Sequence, residues 1–240
     1  MKQNQRPSLF FSSNLFGIFR NKTYLCRRHL YKNIKANAGF LNGKLLDFGC
    51  GTKPYQSFFS NVSEYIGLDY KNEGHGHENE YIDVYYNGKE IPFDAEYFDS
   101  LLSTQVLEHV NDLDFTLKEW SRVLKHNGKL MVTVPFCFEE HELPHDYRRF
   151  TTIGIEKLLT DHGFKCLEIT KLGSPIEVIN QFKISYLEKL FPLNFGFIRI
   201  FIKLFVFAPI IIGALFWSWI LPQNQQGLYF DILVLAEKAN

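Results

Sequence analysis

Short apolar runs broken by turn residues recur along the middle of the chain, each the length of a buried strand. Residues 44–48 (KLLDF) run into Gly49-Cys50-Gly51-Thr52, and 64–70 (EYIGLDY) close on Asp69 and Tyr70. Further strands are predicted at 81–86 (YIDVYY), 98–103, 128–136 (GKLMVTVPF), 164–171 and 227–238. Leu113, Leu117, Trp120, Val123 and Leu124 recur at helical spacing, predicting a helix over 113–125 that Asp112 caps and Asn127-Gly128 stops. A second helix is predicted over 151–162 and a short one around 54–59. Strands alternating with helical segments make a doubly wound, mostly parallel α/β sheet with helices on both faces.

Two stretches fall outside this alternation. Residues 1–40 mix Phe10, Phe11, Phe16 and Phe19 with polar positions, and up to Lys44 there are nine Lys or Arg and no acid. That reads either as a leading helix packed on the sheet with its basic side exposed, or as a basic amphipathic contact with anionic lipid. Residues 174–226 form an insertion whose second half has 18 uncharged residues from Leu204 to Leu221. The length suits a spanning helix, but the chain must return to lay its last strand into the sheet. Pro209 should divide the run into a hairpin seated in one leaflet, with Trp217, Trp219, Arg199 and Lys203 at headgroup level. The chain thus divides into 1–40, a core at 41–173, the insertion at 174–226 and a last core strand at 227–240.

Composition narrows the partners. Net charge is zero over 240 residues, which argues against a nucleic-acid binder. Four scattered cysteines without a CxxC pair suit a reducing compartment. His75 and His77 lack a third ligand at a recognisable spacing, so no metal is expected.

The chemistry gathers at strand ends. Gly49 and Gly51 let the backbone approach a ligand that a Cβ would push away. Asp69 falls about 20 residues past the turn, where doubly wound folds hold ribose hydroxyls. A dinucleotide fingerprint would need glycine where Pro54 stands. His109 follows the fourth strand, and His145 and Asp146 lie in HELPHDYRRF after the fifth. These three are the candidate proton acceptors.

Asp47-Phe-Gly49-Cys50-Gly51, Asp69, FDSLLSTQVLEH and LKHNGKLMVTVP, in that order, resemble the successive motifs of class I S-adenosylmethionine-dependent methyltransferases, of the methyltransferase type 11 group. The resemblance covers residues 44–171 and returns at the last strand. It implies a seven-stranded sheet with an antiparallel last strand and S-adenosyl-L-methionine over Asp47 to Gly51. It places Asp69 and Tyr70 at the ribose, Asp83 or its neighbours near the adenine, and Gln105 and Val106 beside the methionine half. One departure is Lys53, where many members have glycine; its side chain should narrow the turn. The expectation is an O-methyltransferase on the cytosolic face of a membrane, acting on a lipid-linked or membrane-resident acceptor. The alternatives are a soluble methyltransferase whose apolar insertion forms a dimer interface, and a non-catalytic scaffold.

Overall fold

The computed structural model describes residues 21–70, 81–190, 196–221 and 227–239. The first half of the basic segment and the His75–His77 loop lie outside them, as does the side chain of Arg199. The described part opens with α1 (Tyr24–Asn37) and continues with β1 (Gly43–Phe48), β2 (Val62–Tyr70), β3 (Val84–Tyr86) and β4 (Phe98–Thr104). Next come α2 (Leu113–Val123), β5 (Leu124–Pro135), α3 (Thr152–Asp161), β6 (Phe164–Leu172) and α4 (Pro175–Leu190). A last helical stretch and β7 (Asp231–Lys238) close the chain. The seven strands are ordered β3-β2-β1-β4-β5-β7-β6. β7 runs antiparallel to both neighbours and the other pairs are parallel, as the motifs implied.

Alternate strand residues feed two cores. Leu45, Leu102 and Leu233 face α1, α4 and the late helices, whereas Leu46, Leu101 and Ile232 face α2 and α3, around Trp120, Val123 and Leu159. Asp112 caps α2 by accepting from the Phe115 N–H at 3.0 Å. The helix ends at Val123, before Asn127-Gly128, because Leu124 is already extended and paired with Phe98. Asn127 instead takes a left-handed φ of 59° inside β5, where the pairing register shifts. The expected helix around 54–59 is a single 3₁₀ turn, Gln56–Phe58.

The apolar run is one continuous helix rather than a hairpin. α5 (Gly196–Ile202) passes through a π turn (Lys203–Phe207) into α6 (Ala208–Ile220). Ala208 N–H reaches back five residues to the Lys203 carbonyl, so Pro209 falls at the first turn of α6, where a proline needs no donor. Phe207, Ala208, Ile211 and Ala214 seat this helix on the core. Ile212, Phe216, Trp217 and Trp219 stay exposed, Trp219 by 83%. α4 packs against α6 and exposes its own stripe of Ile179, Phe182, Tyr186 and Leu190.

Arg122 ties α2 to the loop before β4. Its guanidinium donates to the carbonyls of Phe93 and Ile91 at 2.7 and 2.8 Å and to both oxygens of Glu119. Arg122→Ala leaves these acceptors unpaired and should cost about 1–3 kcal/mol, measured as a lower urea midpoint. An unchanged midpoint would mean that water replaces the guanidinium at no cost.

Candidate active site

The chain leaves β1 through Gly49, at φ 73°, and Gly51, at φ 46°. The N–H groups of Gly49 and Cys50 both donate to the Leu68 carbonyl, at 2.8 and 3.2 Å, which stitches the bend to β2. A Cβ on Gly49 would strike the Val106 side chain, whereas one on Gly51 would meet nothing within 4 Å. The second glycine therefore borders open space. Asp69 turns onto the bend: Oδ2 accepts the Gly51 N–H at 2.7 Å and Oδ1 the Tyr70 N–H at 2.7 Å. Opposite Asp69 on the next strand is Tyr85. It lines an open depression of about 180 Å³ with Tyr86, Asn87, Glu90 and Pro92. Tyr70, half-exposed, stands edge-on to Tyr86.

Beneath the bend lies the departure that the motifs flagged. Lys53 does not narrow the turn. At φ 50° it is buried and runs down beside Gly67, where a Cβ would collide with it and with the Cys50 sulfur. Its ammonium pairs with Asp83 and lies 5.8 Å from the Tyr65 ring centre. Asp83 precedes β3 rather than lying on it, and its Oδ2 also accepts the Gly67 N–H at 2.7 Å. Asp47 is buried, accepts the Tyr65 hydroxyl at 2.5 Å, and is pushed up to about 7 by burial. Burial also raises the Cys50 thiol, so it is the backbone of Cys50 that shapes the bend.

The other wall begins at Gln105, in a left-handed φ of 56° that a non-glycine rarely adopts. Its N–H donates to the Thr133 carbonyl at 2.9 Å and its amide to the Thr133 hydroxyl at 3.3 Å. The side chain also bonds Asp231, a fully buried acid at the start of β7 that burial pushes up to about 7. The Cys26 thiol of α1 donates to Asp231 at 3.2 Å. Gln105 thus faces inward, and Val106 is the side chain laid against Gly49.

Of the three expected bases, the structure brings two together and removes one. His109 Nδ1 lies 3.0 Å from the His145 carbonyl, an acceptor, so Nδ1 carries hydrogen and Nε2 keeps its lone pair in the neutral ring. Nε2 lies 3.9 Å from Glu108 and 3.7 Å from Glu142. His145 offers that carbonyl, while its exposed ring lies 3.1 Å from the Tyr147 hydroxyl. Asp146 does not fit a proton acceptor. Arg149 grips both its oxygens at 2.5 and 2.7 Å, and this holds the carboxyl well below the usual range.

Sequence reasoning missed Glu108. It is fully buried, neither oxygen has a hydrogen-bond partner, and burial pushes it up to about 8. An acid wedged between Leu107 and His109 was the only available signal. Ligand atoms of Glu108, His109 and His141 lie within 4.8 Å of one another, a mixed imidazole–carboxylate set able to hold a zinc- or manganese-like ion.

The raised Glu108 has a signed consequence. Its pKa of about 8 exceeds the ordinary 4.5, so the fold favours the protonated form. That stabilisation is complete below the ordinary value and is lost as pH rises toward 8. The urea midpoint should therefore fall between about pH 5 and 8, and Glu108→Gln should flatten the fall; parallel curves would place the ionisation elsewhere.

Comparison with known proteins joins this geometry to a family. A methyltransferase domain model matches residues 46–132, from β1 through most of β5. A ubiquinone biosynthesis O-methyltransferase of Pelagibacter ubique (strain HTCC1062) is 30% identical over 168 residues, 65% of this chain and 66% of that protein. The chain thus spans just under two thirds of that relative's length. Among solved structures, the [4+2]-cyclase SpnF aligns with a TM-score of 0.56 at 18% identity, over 90% of this chain and 83% of that one. Haemonchus contortus phosphoethanolamine N-methyltransferase 2, solved with S-adenosyl-L-methionine, aligns at 0.52 and 14% identity, over 97% of this chain and 59% of that one. At such identities the two structures speak for the fold alone. The matched domain lies across the glycine bend and the strand that leads to His109, so residues 46–132 carry a methyltransferase domain, and the chain is similar over 168 residues to an O-methyltransferase.

Proposed function

We propose that the protein methylates an oxygen of a lipid-linked or membrane-resident acceptor from S-adenosyl-L-methionine, at the cytosolic face of a membrane. The observation that carries the methyl-transfer reading is the Asp69 carboxylate turned onto the bare Gly51 bend. The bend fits the donor because the space above Gly51 is open. Asp69, whose carboxylate reaches both the Gly51 and the Tyr70 N–H, is the acid on the bend suited to ribose hydroxyls. The depression lined by Tyr85 and Asn87 suits a purine. When bound, the donor supplies a sulfonium methyl that needs no activation.

The chain's own work is then alignment and proton removal. His109 Nε2 is the acceptor for a hydroxyl proton, and the His145 carbonyl fixes its tautomer. Glu142, 3.7 Å from Nε2, stabilises the charge of the resulting imidazolium. His109→Gln should lower kcat by about 10²–10⁴-fold while calorimetry shows donor affinity unchanged. Turnover within a few-fold of wild type would take His109 out of this role.

The membrane reading rests on the exposed side of the α5–α6 helix and the stripe on α4. The most apolar 18-residue window of Ile200–Ile220 has a mean hydropathy of 2.3, yet only 28% of it is buried. Phe201, Phe205, Ile212, Phe216, Trp217, Trp219 and Ile220 are all about half-exposed or more. Placing them in lipid gains on the order of 5–10 kcal/mol gross, before ordering costs. The relative named for ubiquinone biosynthesis is in keeping with an isoprenoid acceptor. The protein should sediment with anionic vesicles, and Phe216→Ser/Trp219→Ser should release it. Protein that stays in the supernatant as a stable dimer would favour the soluble alternative. Incubation with methyl-labelled donor and a membrane extract should put the label in the lipid phase; label confined to water-soluble product would overturn the acceptor assignment.

A further inference from the structure

A second cavity, of about 290 Å³, opens beside the end of β6, just under the roughly 300 Å³ at which small-molecule pockets begin. His29 and Asn33 line it from α1, Thr170 and Lys171 from β6, Glu177 from α4, and Ser218 from α6. Three features mark it as more than a packing gap.

First, it lies on the catalytic edge. Leu172 at the end of β6 and Pro135 at the end of β5 both pair with Asp231 of β7. With strands about 4.8 Å apart, the cavity is roughly 10 Å from the end of β5. Second, Ser218 sits between Trp217 and Trp219, the exposed aromatics of the apolar helix. A ligand whose tail follows that helix would bring its head to this opening. Third, the lining has settled charge and one acceptor without a hydrogen bond. Glu177 is 1% exposed; its Oε2 is met by His29 at 3.0 Å and by the Ser174 hydroxyl at 2.8 Å. Its Oε1 has no hydrogen bond and only the Arg28 guanidinium at 3.5 Å. The Lys171 ammonium lies over the Tyr229 ring, 5.1 Å from its centre.

A cavity whose carboxylate already meets the Arg28 guanidinium and the His29 imidazole has little use for a further full charge. What Glu177 Oε1 lacks is a hydrogen-bond donor, and the rest of the polar lining is neutral: the Thr170 and Ser218 hydroxyls and the Asn33 amide, which bond Glu168, Ser174 and the His29 carbonyl. We infer that this cavity is a subsite for a hydroxyl-rich, uncharged, sugar-like unit of the acceptor, next to the unit that is methylated. The inference rests on the acceptor reading above. Its separation of roughly 10 Å from the end of β5 is the span of a neighbouring unit rather than of the reacting one.

The test uses the full chain, Thr170→Phe to plug the cavity, and Asn33→Trp to plug it from α1. n-Octyl glucoside and n-octyl galactoside, both below their micelle concentrations, are titrated against the fluorescence of Trp217 and Trp219, with n-octanol as the tail-only control and free glucose and galactose alongside. The expected result is a saturable shift from at least one glycoside beyond the octanol response, at least tenfold weaker in both variants, which must still unfold cooperatively. An equal shift from the free sugar would identify a soluble polyol as the source, and a shift from the glycoside alone a lipid-linked one. Wild type responding no more than to octanol, or variants responding like wild type, would overturn the inference. S-adenosylhomocysteine binding, measured by calorimetry in the same proteins, should be equal in all three. Its absence from wild type would defeat the methyltransferase reading and leave the sugar titration to be judged on its own.

Discussion

One carboxylate holds the nucleotide end of this molecule in shape. β1 and β2 run parallel, with Asp47 beside Gly67 and Phe48 beside Leu68, and the chain leaves β1 there while β2 continues to Tyr70. Gly49 makes the turn, the Leu68 carbonyl takes two of the N–H groups it exposes, and Asp69 takes a third from Gly51. A charged acceptor strengthens such a bond well beyond a neutral one. Without it the bend would be free to close over the space that its second glycine keeps open. The same residue would then both set the cradle and hold the ligand, which is why its direction decides whether a donor site exists at all.

Around that cradle the protein keeps acids where water does not reach. Asp47, Glu108 and Asp231 are all buried near the carboxyl ends of the strands, and burial raises each of them toward neutrality. Desolvation is the first cause in every case, so these groups oppose stability as pH rises. Only some are compensated. Lys53 offsets Asp47, and Arg149 offsets Glu108 from a distance while spending its hydrogen bonds on Asp146. A fold selected for stability alone would place leucine at such positions. Their retention beside one strand edge marks where the chain's chemistry is concentrated.

The strand pattern and the glycine bend were legible because both follow from local rules: apolar runs of strand length, and glycines where φ must be positive. Asp69 was legible from spacing alone, since β2 ends level with β1. What stayed hidden was decided by side-chain geometry that spacing does not fix. Arg149 stands three residues from Asp146, yet nothing in the sequence says that it grips both oxygens rather than leaving them to a substrate. Nothing near Lys53 says that its stem will run down past Gly67 and leave the turn open. Glu108 reads as a surface helix-start residue until the 141–149 loop folds over it. Pro209 misled for a different reason: a proline ends a helix only where its N–H is needed, and the π turn before it removes that need. The exposed stripe on α4 was invisible because Ile179, Phe182, Tyr186 and Leu190 have the ordinary spacing of a buried face.

The apolar helix and the catalytic edge meet through topology rather than coincidence. β7 is antiparallel to β5 and β6, so β6 must end, and β7 must begin, on the edge where β1, β4 and β5 also end. Any insertion between Leu172 and Asp231 therefore leaves from and returns to that edge, whatever its sequence. Filling it with hydrophobic residues turns the rim of the site itself into the apolar surface. α1 completes the arrangement from the other side, with Cys26 on Asp231 and His29 on Glu177. An acceptor approaching along the apolar helix would then meet polar groups and the glycine bend in that order. Had the same insertion fallen between β4 and β5, α2 would have carried it to the far face, and an apolar helix there would have had nothing to do with the chemistry.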